Sequence, residues 1–127
     1  MIFGIGTDIV EVERIMNMNS LDKFAKKILS FEELKVCKSL IEEKKISFLA
    51  KQFAAKEAVS KALGTGIGES VKLNEIEILR NEYGKPYINS TGMLTNIFDD
   101  LGIIKTHVSL SDENKYALAF VILEIWK

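Results

Sequence analysis

At 127 residues the chain is long enough to bury a core of its own, and one domain over residues 1–127 is expected. With 47% hydrophobic and 28% charged residues it has an ordinary globular composition, and its net charge of −1 predicts no bulk affinity for nucleic acid. One cysteine, Cys37, and one histidine, His107, exclude an internal disulfide and a zinc site.

A lone cysteine fits a reducing, cytoplasmic setting. The first residues lack the basic region and small-residue cleavage site of a signal peptide. The longest apolar run, Tyr116 to Leu123, is too short to span a bilayer, so no membrane partner is expected. One proline and no biased tract leave no linker or repeat.

The chain opens with a strand over Ile2 to Val10. Alternation places Ile2, Gly4, Gly6, Asp8 and Val10 on one face, and Phe3, Ile5, Thr7 and Ile9 on the other. Asp8 is therefore an acid among apolar residues, sharing its face with two glycines. Glycine inside a strand marks a place where another backbone or a ligand comes close. A buried carboxylate calls for a cation. The alternative is that Asp8 lies past the strand and caps the helical turn after it. That turn, Glu11 to Met18, carries Arg14.

Ser20 caps a helix over Leu21 to Leu29, and Ser30 with Glu33 forms a capping-box pattern for the next, about Phe31 to Leu40. Lys23, Lys26 and Lys27 cluster on the first of these. From Leu21 to Lys61 there are ten lysines against six acids, a net of +4. Such a stretch is either a solvated surface or a docking face for an acidic partner, whose approach it would steer. Cys37 lies on a predicted helix without a nearby histidine, which favours packing over nucleophilic chemistry.

The main helix runs from about Glu43 to Leu63, and Gly64 stops it. At about 100° per residue, Phe48, Ala55, Val59, Ala62 and Leu63 gather on a core stripe. Glu57 lies nearly opposite, with Ala50, Phe53, Ala54, Ser60, Lys61 and Gly64 around it. Glu57 and Lys61 are four apart and share a face. With small neighbours they could take a metal and a phosphate; the plain alternative is an exposed Glu57–Lys61 pair. The loop Gly64-Thr65-Gly66-Ile67-Gly68 leaves a helix C-terminus and lacks the GK[ST] ending, so it is no ordinary phosphate loop. It is either an anion nest or a plain connector.

Leu73 to Arg80 alternates as a strand, Asn81 to Pro86 is a turn, and Tyr87 to Asn89 a short extended return. Ser90 or Thr91 caps a helix to about Leu101, ended by Gly102. Ile104 to Leu110 is a strand with Thr106 and Val108 on one face, and His107, Ser109 and Ser111 on the other. Ser111 to Lys115 connects it to a last strand, Tyr116 to Trp126. The near-continuous apolar run of that strand predicts burial on both faces, one of them against another subunit. Helices on a mainly antiparallel sheet give an α+β fold.

Four blocks carry a resemblance. They are Gly4-Ile5-Gly6-Thr7-Asp8-Ile9-Val10 with Glu13-Arg14-Ile15; Phe53-Ala54-Ala55-Lys56-Glu57-Ala58 through Ser60 to Gly66; Asn81 to Pro86; and His107 to Asp112. In this order and spacing they span nearly the whole chain, which resembles the holo-acyl-carrier-protein synthases, small 4′-phosphopantetheinyl transferases. The resemblance implies the transferase fold, a homotrimer with active sites at subunit boundaries, and a role in fatty acid biosynthesis. It implies transfer of 4′-phosphopantetheine from coenzyme A to a serine of apo-acyl-carrier protein, with adenosine 3′,5′-bisphosphate leaving.

On that resemblance Asp8 and Glu57 hold Mg²⁺, a hard cation that takes one or two carboxylates plus phosphate oxygens. Lys61 meets the pyrophosphate, unless it merely pairs with Glu57. Glu57 is a candidate base, directly or through a water activated by the metal. Gly64, Gly66, Gly84, Lys85, Pro86, His107 and Ser109 border the coenzyme; the plain alternatives are a turn for Gly84 to Pro86 and a packed core residue for His107. Arg14, Lys23, Lys26 and Lys27 face the acidic carrier. Gln52 stands where many relatives have arginine, which is expected to weaken the hold on a coenzyme phosphate. Two other functions compete: a related transferase for a secondary-metabolism carrier, and a non-catalytic carrier- or nucleotide-binding module.

Overall fold

The computed structural model describes residues 1–64 and 71–126. Strand β1 is Ile2–Glu11, followed by helices α1 (Val12–Met16), α2 (Leu21–Ile28), α3 (Phe31–Lys38) and α4 (Glu42–Leu63). A short 3-10 turn, Leu73–Glu75, leads into the hairpin β2 (Glu77–Arg80) and β3 (Pro86–Asn89). Helix α5 (Gly92–Leu101) and the long hairpin β4 (Ile103–Asp112) and β5 (Tyr116–Ile125) complete the fold. The three long strands form an antiparallel sheet in the order β1-β5-β4, and β2 pairs with β3 separately. This is the expected α+β arrangement.

Helix α4 lies across one face of the sheet, packed on β1 and β5, with α1, α3 and β2 against its other sides. Its first turn carries Glu42 and Glu43, which complement the positive end of the helix dipole. Gly64 ends it in the left-handed region (φ 81°), where its N–H reaches the carbonyls of Ser60 and Lys61. Being covered on several sides, α4 buries more than a stripe. Leu49, Ala50, Ala54 and Ser60 are buried together with Ala55, Val59, Ala62 and Leu63, whereas Phe48 is half-buried. The helix periodicity expected Ala50, Ala54 and Ser60 on an open side; neighbouring elements close that side instead. Each fully buried Leu or Val here contributes roughly 1.5–3 kcal/mol.

Alternation in β1 holds from Gly4 onward, but a bulge between Ile2 and Gly4 reverses the first residues: Ile2 is exposed and Phe3 packs against the core. Gly6 and Val10 are buried under α4, while Ile5, Thr7 and Ile9 face outward. The two glycines meet the helix backbone. A Cβ on Gly4 would lie 2.0 Å from the carbonyl oxygen of Ala62, and one on Gly6 would lie 2.0 Å from that of Ala58. Both distances are inside van der Waals contact, so only glycine lets the helix approach so closely.

The caps at Ser20 and Ser30 form as expected. Ser20 accepts from the Lys23 N–H, and Ser30 and Glu33 complete a capping box. Thr91 stands at the N-cap of α5 without a side-chain cap bond, and Ser90 instead pairs with Thr95 at 2.9 Å. One expectation changes. Leu73 to Arg80 is not one strand: a 3-10 turn precedes β2, because the carbonyls of Leu73 and Ile76 both bend toward the ammonium of Lys56. Within the single chain the last strand is buried on one face only, the other being the face expected to need a cover from outside the chain. Ala117, Ala119, Val121 and Leu123 are fully buried under the helices, but Leu118 and Phe120 remain 44% and 40% exposed.

Gly6→Ala forces β1 and α4 apart. We expect a loss of about 1–3 kcal/mol of stability, the usual cost of overpacking, seen as a lower urea midpoint in chemical denaturation.

Candidate active site

The close approach of β1 to α4 sets Asp8 against the helix. Asp8 pairs in register with Ala119, on the helix-covered face of the sheet, so it sits within the strand and is not the cap of α1. Its side chain is 16% exposed, and the Lys61 ammonium donates to its Oδ1 at 3.1 Å. Lys61 thus pairs with Asp8 across the two elements and not with Glu57 along the helix. Glu57, one turn earlier, is half-buried. Burial pushes its carboxyl above the ordinary value; the charge of Asp8 adds to this and that of Lys61 opposes it. Three of the predicted residues are therefore brought together: Asp8, a Glu57 carboxyl that feels its charge, and the Lys61 ammonium.

Two hard oxygen donors side by side, disfavoured as a bare pair, suit a divalent cation of the Mg²⁺ class, which needs few protein ligands because it keeps waters. Among the described residues no cluster of three or more ligand-type side chains exists. A site of this kind would depend on these two acids and on oxygens supplied by its ligand.

A second group gathers elsewhere. A cavity of about 490 Å³ is bounded by Lys85, Pro86 and Tyr87 at the head of β3, by Thr106 to Leu110 of β4, and by Phe120 and Ile122 of β5. It holds four of the predicted residues: Lys85, Pro86, His107 and Ser109. Gly84 is not in its lining. It makes the preceding turn in the left-handed region (φ 81°), with its N–H bonded to the Asn81 carbonyl at 2.9 Å. Gly64 is the exposed helix cap, and Gly66 lies outside the described residues.

The two groups occupy opposite faces of the sheet. Residues directly across an antiparallel pair point the same way. Asp8, Ala119 and Leu110 align on the helix-covered face, whereas Thr7, Phe120 and Ser109, and Ile5, Ile122 and His107, align on the outer face. One chain thus presents the two groups back to back. Arg14 on α1 and Lys23, Lys26 and Lys27 on α2 are exposed on the helical side.

The structure corrects the expectation for Gln52. It is 1% exposed, and its Nε2 donates to Glu33 and, at 3.0 Å, to the Ile78 carbonyl. It faces the interior, and an arginine here would meet Glu33 before any coenzyme phosphate. The same network holds Lys56, completely buried, with its ammonium 2.7 Å from Glu33 Oε1. Burial lowers the Lys56 pKa, and Glu33 opposes this. Glu33 also accepts from the backbone N–H groups of Ser30 (2.7 Å) and Ile78 (2.9 Å), so every lone-pair direction is used. Sequence reasoning saw Glu33 as a cap and passed over Lys56. The available signal was a lysine flanked on the helix by Gln52, Ala55, Val59 and Ser60, with no open face to snorkel toward. Cys37 is buried, and desolvation raises its pKa, which fits packing.

On this helix-backed antiparallel sheet, an acid pair beside a lysine is chemically able to take a cation and a phosphate oxygen. Residues 4–121 match the family model of the 4′-phosphopantetheinyl transferase superfamily, and the chain belongs to that superfamily. It is 48% identical over 126 residues to the holo-[acyl-carrier-protein] synthase of Blochmanniella pennsylvanica, covering 98% of this chain and 99% of that one. Its fold matches the crystal structure of the holo-[acyl-carrier-protein] synthase from Neisseria meningitidis with a TM-score of 0.90 and 41% identity, over 98% of this chain and 99% of that one. The synthase from Bacillus anthracis, solved in complex with CoA (3′,5′-ADP), matches with a TM-score of 0.85 and 41% identity, over 99% of both chains.

Lys56→Met strands the Glu33 carboxylate and should cost about 3–5 kcal/mol, as for other broken buried pairs, read by denaturation; Gln52→Arg should alter stability and leave coenzyme affinity nearly unchanged. A carboxyl raised in the folded state gives a stability contribution that is full below its ordinary 4.5 and lost as pH rises through the raised value. Glu57→Gln should flatten that loss. Asp8→Asn should reduce the Glu57 shift without abolishing it, since burial is the larger cause; NMR titration of the Glu57 side-chain carboxyl checks this.

Proposed function

We propose that this chain transfers 4′-phosphopantetheine from coenzyme A to a serine of an apo-acyl-carrier protein, as a holo-acyl-carrier-protein synthase serving fatty acid biosynthesis. The observation that carries this is the cluster of Asp8, Glu57 and Lys61 within a fold that matches the coenzyme-complexed synthase over its full length. In this reaction the serine oxygen attacks the β-phosphorus of coenzyme A. The P–O bond to the α-phosphate breaks, and adenosine 3′,5′-bisphosphate leaves with the bond pair. Such transfer is driven by alignment and charge neutralisation more than by covalent help.

Asp8 and Glu57 would hold Mg²⁺, which when bound neutralises pyrophosphate charge. Lys61, with a side chain 57% exposed beside Asp8, contributes its ammonium to the leaving bisphosphate. Glu57, half-buried and more basic than an ordinary glutamate, suits the acceptance of the serine proton. Lys85, His107 and Ser109 supply donors for the nucleotide portion. Arg14, Lys23, Lys26 and Lys27 offer a positive face to an acidic carrier protein, which raises the encounter rate.

We also propose a homotrimer with active sites at subunit boundaries. The outer face exposes Ile5 and Ile9 at 59% and 62%, beside Leu118 and Phe120, an apolar surface suited to burial. Because the half-sites lie on opposite faces of one sheet, only a neighbouring copy joins an acid pair to a His107–Ser109 pocket. No described helix is long and apolar enough to cross a membrane.

The test is the intact mass of an apo carrier after incubation with this protein, coenzyme A and Mg²⁺. A phosphopantetheine-sized gain is expected, lost with EDTA and reduced about a hundredfold or more in Asp8→Ala and Glu57→Ala, as when a principal charge stabiliser is removed. Full transfer by both variants would sink the assignment. Sedimentation of the same sample should give a trimer, and a monomer with full activity would refute the shared site.

A further inference from the structure

His107 is the chain's only histidine, and it lines the cavity of about 490 Å³. Its partner comes from the neighbouring strand. In the β4–β5 register His107 lies opposite Ile122, so Glu124, two residues on, is its diagonal neighbour on the same outer face. The Glu124 Oε2 lies 2.6 Å from His107 Nε2, a charge-assisted distance. A hydrogen bond from one imidazole nitrogen to a carboxylate fixes both the ring's orientation and which nitrogen carries hydrogen there. Nδ1 has no hydrogen-bond partner among the described residues and is left for a ligand.

We propose that Glu124 is the positioning residue for His107: by taking the Nε2 hydrogen, it aims Nδ1 and the ring at the coenzyme bound in the cavity beside Lys85 and Ser109. The inference rests on the coenzyme A reading of that cavity. Glu124 does not line the cavity and acts through the ring alone.

The electrostatics agree with this geometry. The hydrogen bond from His107 holds the Glu124 carboxyl below the usual range, and Lys105 and the Met1 amino group lower it further. Glu124 is thus an ionised acceptor. From β3 the cavity receives Lys85 and Tyr87, and its lining contains no carboxylate to compete for the ring. Helix α5 also packs on β4, but its acids Asp99 and Asp100 are exposed and make no ion pair with His107; α4 lies on the sheet's other face. In sequence, Glu124 was visible only as a charge inside an apolar strand.

The test joins kinetics with imidazole-nitrogen NMR, in which a single histidine gives unambiguous signals. Glu124→Gln should raise the KM for coenzyme A about fivefold, the worth of one such hydrogen bond, with the loss in KM and not in kcat. Its free-state signals should shift as the ring loses the partner that fixes which nitrogen carries hydrogen. In a His107→Gln background the same substitution should add nothing. Unchanged KM and unchanged signals in Glu124→Gln, or an equal effect in both backgrounds, overturn the positioning role. If coenzyme A leaves the wild-type His107 signals unmoved, the coenzyme reading of the cavity fails and the inference falls with it. Signals that respond in the wild type and respond identically in Glu124→Gln overturn the positioning alone.

Discussion

The contact between two glycines of β1 and the backbone of α4 is the constraint on which the rest of this structure depends. With no Cβ at Gly4 or Gly6, the strand lies directly against the carbonyls of Ala62 and Ala58. The small side chains at 58 and 62 on the helix complete the fit. The next inward residue of the strand is Asp8, and the helix residues beside this contact include Glu57 and Lys61. A helix held farther off would leave Asp8 out of reach of the Lys61 ammonium. Packing density and the acid pair are therefore consequences of one approach distance.

A second device fixes the opposite side of α4. Lys56 precedes Glu57 in sequence but points into the protein, where it ties α3, the 3-10 turn and β2 to the helix through Glu33 and the carbonyls of Leu73 and Ile76. Taking an ammonium and a carboxylate out of water is costly, and the cost is offset only because all their hydrogen-bonding capacity is used. Gln52 joins as a neutral donor. Helix α4 thus carries an interior polar network and a surface acid–base cluster on adjacent residues, each held by a different set of neighbours.

The sheet divides the chemistry. One face is sealed by α4 and carries Asp8. The other is apolar with a polar edge at His107, Ser109 and Glu124. The apolar part, with Ile5, Ile9, Leu118 and Phe120, has no cover among the described residues.

Much of this was legible in the sequence. Period-two alternation separated Asp8 from Ile5 and Ile9, helix spacing put Glu57 and Lys61 on one face, and Ser20, Ser30, Gly64 and Gly102 marked helix ends, because each of these is a local property of backbone geometry. Four ordered blocks identified the family. What the sequence could not decide were relations between elements. Whether Lys61 pairs with Glu57 or Asp8, whether Gln52 looks toward a ligand or toward Glu33, and whether Leu73 begins a strand or a turn all depend on what packs alongside. The apolar run of β5 called for burial on both faces, and only the assembled chain reveals which face, that of Leu118 and Phe120, lacks a cover within it. Local sequence determines which residues share a face; the tertiary packing determines what that face meets, because burial and electrostatic pairing are set by neighbours distant in the chain.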